Sequence, residues 1–200
     1  MRVSLRMNRI ASVAVIYLIA FALAVGAISP LNAAANEKKA IKGDKKMAWS
    51  LKTYLFKNGE RIPDKYTGVG IDVSPELFWD APPAGTQELV LIMDDPDAPV
   101  GLWTHWIVYG MPPERVNLPE SIEKKTEVSA LKILQGTNTW PREGYWGPMP
   151  PPGKPHRYYF KLYALNKKTG LPPGANRKQI DAAIKGHIIS ETQLMGIFSR

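Results

Sequence analysis

Apolar and polar positions alternate most cleanly after residue 156. Tyr158, Phe160, Leu162 and Ala164 share one face, and Arg157, Tyr159, Lys161 and Tyr163 share the other. A period of two predicts a strand with one face in a core. Leu89 to Met93 is apolar without a break, which predicts a central strand buried on both faces. That run delivers Asp94 and Asp95 at its end. Another strand is predicted to start at His105, run through Trp106 to Tyr109 and stop at Met111-Pro112-Pro113. Shorter extended pieces are expected at Trp49 to Phe56 and Leu77 to Trp79. Asn58-Gly59, Pro83-Ala84-Gly85 and Asn166 to Gly170 are turn signals, and Ile62 to Ser74 reads as loop.

Helical spacing is confined to the end of the chain. Asn176 can cap a helix from Arg177 to Lys185, with Ile180, Ala183 and Ile184 inward and Gly186 as the stop. Ile188 to Phe198 reads as a last strand rather than a second helix, because Gly196 and the β-branched residues disfavour helix. Leu118 to Gln135 has only fragmentary periodicity and reads as a loop or a short helix. No internal repeat is visible.

Composition narrows the class. Eighteen prolines and 16 glycines require many loops, which favours a strand-rich fold; 44% hydrophobic residues and six tryptophans suffice for a core. There is no cysteine, so disulfides, thiolate metal sites and a lipidated cysteine are excluded.

The net charge of +8 is concentrated at the start. Arg2, Arg6 and Arg9 precede an apolar run from Ile10 to Ile28, followed by Ala33, Ala34 and Ala35. Residues 1–35 therefore read as a secretory signal peptide or, since the run is long, a signal anchor. Cleaved or not, the basic N-terminus stays in the cytoplasm and the domain is exported, to the periplasm or another extracytoplasmic space. Residues 36–48 read as a basic linker, with Lys38, Lys39, Lys42, Lys45 and Lys46 against Glu37 and Asp44. These two segments hold eight of the cations and two acids, leaving residues 49–200 at about +2. Nucleic acid is not an expected partner. The linker reads as solvated, with weak contact to an anionic membrane surface as the alternative.

Candidate chemistry gathers in two segments. One is Asp94-Asp95-Pro96-Asp97-Ala98-Pro99 followed by Trp103-Thr104-His105-Trp106. The other is Gly144-Tyr145-Trp146-Gly147-Pro148-Met149-Pro150-Pro151-Pro152-Gly153 running into His156-Arg157-Tyr158. Each joins a proline-stiffened loop to a strand, the usual place for a binding site. Histidine N–H groups and a tyrosine hydroxyl can donate to an anion. An aspartate there would repel phosphate unless paired, so Asp95 is expected to orient His105 or His156. Asp97 is expected to cap a turn, and Asp94 to be a structural partner. No Gly-x-Ser-x-Gly or His-Glu-x-x-His motif is present.

With these segments stand Ser74-Pro75-Glu76-Leu77 with Trp79, Gly85-Thr86, Leu162-Tyr163-Ala164-Leu165 and Gly186-His187. In this order the set resembles the phosphatidylethanolamine-binding protein family, in its bacterial Raf-kinase-inhibitor-like branch, from about Trp49 to the C-terminus. The resemblance implies a mainly β fold: a large central antiparallel sheet, a smaller packed sheet, and one or two peripheral helices. It also implies a small pocket for an anionic ligand, phosphate or a phospholipid headgroup, lined by Asp95, His105, Tyr145, His156 and Tyr158. Asp97, Pro99, Gly147, Pro148, Met149 and Pro150 would shape it, with a cis bond before Pro99. Met149 departs from the pattern, since relatives carry cysteine or glycine there. The expectation is an exported binding protein with no catalytic set, cofactor or metal. An inhibitor of a protease or other enzyme, and a hydrolase using the His/Asp cluster, are the alternatives.

Overall fold

The computed structural model describes residues 49–200. The expected signal segment and basic linker lie outside the described residues. Among the described residues nine strands form two antiparallel sheets. The large sheet has the order β6-β7-β4-β3-β8-β9, from β3 (Glu88–Asp95), β4 (Trp103–Met111), β6 (Glu127–Val128), β7 (Ile133–Gln135), β8 (His156–Leu165) and β9 (Ile188–Phe198). The small sheet has the order β1-β2-β5, from β1 (Leu51–Lys52), β2 (Leu77–Trp79) and β5 (Asn117–Leu118).

Both faces of the large sheet are covered, which is why Leu89 to Met93 of β3 is apolar without interruption. On one face Leu89, Leu91 and Met93 join Phe160 and Leu162 in a core shared with Leu51, Leu77, Trp79 and Leu118 of the small sheet. On the other face Val90, Ile92, Ile107 and Tyr109 pack beneath α1 (Arg177–Ile184) through Ile180 and Ile184. Asn176 and Gln179 form a reciprocal capping box at its start.

Differences from the sequence reading fall where elements are short. The stretch Leu118 to Gln135 holds β6, β7 and a 3-10 turn at Ser129–Leu131 rather than a loop or an α-helix. The first strand is two residues long, because Leu55 N turns back onto Thr53 Oγ1 and ends the pairing. The bond before Pro99 is trans. Ala98 O accepts from Gly101 N at 3.0 Å, which puts Pro99 in the second position of a β-turn, where trans proline fits.

Candidate functional site

The site forms where β3 ends and β4 and β8 begin. Alternation along β3 sends Leu89, Leu91, Met93 and Asp95 to the small-sheet face and Asp94 to the helix face. On β8 it sends His156 and Tyr158 to the small-sheet face. Simple alternation on β4 would separate His105 from Trp106, a core residue of that same face. A β-bulge prevents this: the register steps from Met93↔Trp106 to Asp94↔Thr104, so His105 has no residue opposite. The extra residue turns His105 toward Tyr158. The rings of His105 and His156 both pack on Tyr158, with centroids 5.2 and 6.5 Å away.

These side chains line a pocket of about 250 Å³. Its polar groups are Asp95, Trp103, His105, His156 and Tyr158. The remainder is apolar: Ala98, Pro99 and Val100 from one loop, Met149, Pro150 and Pro151 from the other, and Trp140. Apolar walls with a few convergent polar groups are what small-ligand pockets have in common.

Asp95 organises the site with both oxygens. Oδ1 accepts from Asp97 N at 2.8 Å, and Oδ2 accepts from His156 Nδ1 at 2.8 Å. With Nδ1 so used, His156 meets the pocket only through Nε2. Asp97 is not the turn cap that was expected. Its carboxylate takes the Arg157 guanidinium two-pronged, at 2.9 and 2.7 Å, and also accepts from Arg157 N. The guanidinium holds the Asp97 carboxyl down to about 2 despite partial burial. Asp97 thus shapes the pocket from behind, by fixing its loop to the start of β8.

His105 departs from the expected role. Its Nδ1 donates to Trp146 O at 2.7 Å, and burial pushes its pKa below the ordinary histidine value. In the neutral form that burial favours, its Nε2 is a lone pair rather than a charged donor. Tyr158 is buried, and its pKa is raised by that burial and then by the nearby Asp95 charge, so it remains a protonated donor. Its hydroxyl has no hydrogen-bond partner among the described residues, and neither does the buried Trp103 Nε1.

Tyr145 does not reach the pocket. It is fully buried in the core, against Trp106, and its hydroxyl donates to Tyr66 O at 2.5 Å. The reason is close packing beneath the rim: at Gly147 a Cβ would fall 2.3 Å from the same Tyr66 O. Gly147 and Pro148 therefore anchor the rim without lining the pocket. Gly147 N donates to Asp72 Oδ1 and Pro148 O accepts from Gly68 N. Trp140, which the sequence reading passed over, stands edge-on to both Trp103 and His105, with centroids 5.0 Å away in each case. Its one signal was a tryptophan in a polar loop with no strand to carry it inward.

Comparison with known proteins agrees with this architecture. The family model described as phosphatidylethanolamine-binding protein matches residues 52–199. The chain belongs to the phosphatidylethanolamine-binding protein family. A UPF0098 protein of Aquifex aeolicus is 48% identical over 147 residues, covering 72% of this chain and 85% of the relative. Another from Pyrococcus horikoshii is 43% identical over 160 residues, covering 79% and 80%. Among solved structures, a Chlamydia trachomatis homologue of phosphatidylethanolamine-binding protein superposes with a TM-score of 0.69 at 38% identity. It covers 76% of this chain and 98% of its own. Escherichia coli YbcL, described as a member of the mammalian family, gives 0.71 at 26% identity, with the same coverages. Membership in this family indicates a ligand-binding or regulatory protein.

Proposed function

We propose that the chain is an exported binding protein whose pocket takes a small anionic ligand of the phosphate or phospholipid-headgroup type. One observation carries this reading: the buried hydroxyl of Tyr158 and the buried Nε1 of Trp103, both unpartnered, belong to side chains that line the same pocket. A buried donor without an acceptor costs about 1–3 kcal/mol. Two at one pocket favour an occupant rich in acceptor oxygens. No lysine or arginine lines the pocket. His156 Nε2 is the ring nitrogen left to meet a ligand, because Asp95 holds Nδ1.

The lining offers no Ser, Thr or Cys nucleophile. Among the described residues no three His, Asp or Glu side chains are grouped to hold a metal ion. The Asp95–His156 pair is therefore read as orienting a ligand rather than activating water. Export rests on the Arg-rich start and apolar run of the sequence alone, and a mature N-terminus near Ala34 to Asn36 in fractionated cells would test it.

Calorimetric titration with glycerophosphoethanolamine, a phosphodiester, tests the pocket. His156→Ala removes the ring nitrogen left open to the pocket, and binding should weaken several-fold or more, the order of one hydrogen bond to a charged group. Unchanged affinity in His156→Ala would overturn the role of His156.

A further inference from the structure

A second hollow of about 280 Å³ lies beside the first, and Trp140 and Met149 line both. Met149 is the partition between them. It is seated against Gly68, where a Cβ would come within 2.9 Å of the methionine Cβ and Sδ. The other walls are Asp72, Arg142, Trp146 and Gly147.

Trp146 carries two cations against its ring: Lys124 Nζ at 4.0 Å and Arg142 Cζ at 4.3 Å from the centroid. Their situations differ. Lys124 is bound in an ion pair with Asp72 Oδ2 at 2.6 Å, and Asp72 Oδ1 accepts from Gly147 N at 2.7 Å. Asp72 is thus satisfied on both oxygens and its charge is met. Arg142 is bonded only through its backbone, where its N donates to Asn138 Oδ1 and its O accepts from Asn138 N. Its guanidinium enters no ion pair or hydrogen bond among the described residues. The indole face restrains it and leaves its donors open.

We propose that this hollow is a second anion subsite, in which Arg142 takes a carboxylate or phosphate carried by the same ligand whose phosphate occupies the first pocket. The inference rests on the proposed reading of that first pocket. The ligand class is a small phosphate compound bearing a second anion on a short linker that passes over Met149. A guanidinium suits this, since its planar fork matches the two oxygens of a carboxylate or phosphate. The charge around the hollow agrees: of the lining residues Arg142 is matched by Asp72, and Lys124, which pairs with Asp72 from outside the lining, leaves the surroundings net positive.

The test compares n-propyl phosphate with the bisphosphates of propane-1,3-diol and butane-1,4-diol, by calorimetric titration of the intact protein. At least one bisphosphate should bind about tenfold tighter than the monophosphate, the order of one charge-assisted bidentate contact. Arg142→Gln should erase that gain and leave propyl phosphate within twofold, while Arg142→Lys keeps part of it. His156→Ala should weaken mono- and bisphosphates alike. Equal binding of mono- and bisphosphates by the wild type, or a gain that survives Arg142→Gln, would overturn the second subsite and leave the first pocket standing. No binding of propyl phosphate at all would overturn both.

Discussion

Asp94 and Asp95 are neighbours at the end of β3, yet they face opposite sides of the sheet and are treated differently there. On the helix face Asp94 is buried and ion-paired. Its Oδ1 accepts from Arg177 Nη1 at 2.5 Å and from Thr104 Oγ1 at 2.9 Å; its Oδ2 has no hydrogen bond, but its charge is met by Lys161 Nζ at 3.7 Å. Arg177 continues to Asp181 on its own helix. On the pocket face Asp95 satisfies His156 and the turn at Asp97, while Tyr158 and Trp103 beside it keep unused donors. One face spends its polar groups on holding α1 to the sheet. The other keeps them for something outside the chain. The contrast separates a polar network built for stability from one built for binding, at a single strand end.

The largest expected effect comes from opening the closed face. Arg177→Met strips Asp94 of its principal countercharge while leaving the carboxylate buried. Breaking a buried pair from one side costs about 3–5 kcal/mol, and the lower end is expected because Lys161 remains. Urea denaturation should show the loss, and the double variant Asp94→Asn/Arg177→Met should recover most of it. Ligand affinity should stay within twofold, since the pocket lies on the other face. A stability change below about 1 kcal/mol would mean that the network does not hold the helix.

A smaller effect, confined to the pocket face, is a pH dependence of stability. Burial keeps the pKa of folded His105 below the ordinary value, although its bond to Trp146 O and the Asp95 charge pull the other way. Once unfolded, the side chain takes up a proton near pH 6.5. Below that the unfolded chain binds more protons than the folded one, so stability present at neutral pH is lost as pH falls toward the depressed folded value. One proton sets a ceiling of about 1.4 kcal/mol per pH unit. Comparing unfolding midpoints at pH 7 and 5.5 isolates the contribution, because His105→Asn can keep the bond to Trp146 O without titrating. A variant with the same slope as the wild type would show that His105 is charged in the fold. The ion pair of the helix face contains no histidine, so this slope reports on the pocket side.

The sequence made the long-period features plain and hid those that depend on register. The alternation of β8, the apolar run of β3 and the cap at Asn176 are signals spread over many residues, and the structure follows them. Strands β5, β6 and β7 are two or three residues long, too short to show a period. The bulge at His105 is a property of pairing between strands and leaves no mark in either one. The same holds for Arg177 meeting Asp94 across 83 positions. Family motifs placed Asp95, His105, His156 and Tyr158 together, but a motif carries no burial. Hence Tyr145 was expected to line the pocket when it lies in the core, and His105 was expected to donate an N–H to an anion when its Nδ1 is taken by Trp146 O and burial disfavours its charged form.

The smallest expected effect has the opposite sign, and that sign is what distinguishes the two faces. Tyr158→Phe removes a hydroxyl that is buried and unpartnered while keeping the ring that His105 and His156 pack against. Deleting a polar group normally destabilises because its partner is stranded. Here no partner is stranded, and the desolvation cost of the hydroxyl disappears, so the ligand-free protein should become more stable by about 1 kcal/mol. Affinity for glycerophosphoethanolamine should fall several-fold in the same variant, since an acceptor oxygen loses its donor. A gain in stability joined to a loss in binding is the mark of a group held in reserve for a ligand. A hydroxyl serving the fold would lose stability on removal, as Arg177 does. A variant that is less stable and binds equally well would therefore return Tyr158 to the core and remove the chief support for an acceptor-rich ligand at this pocket.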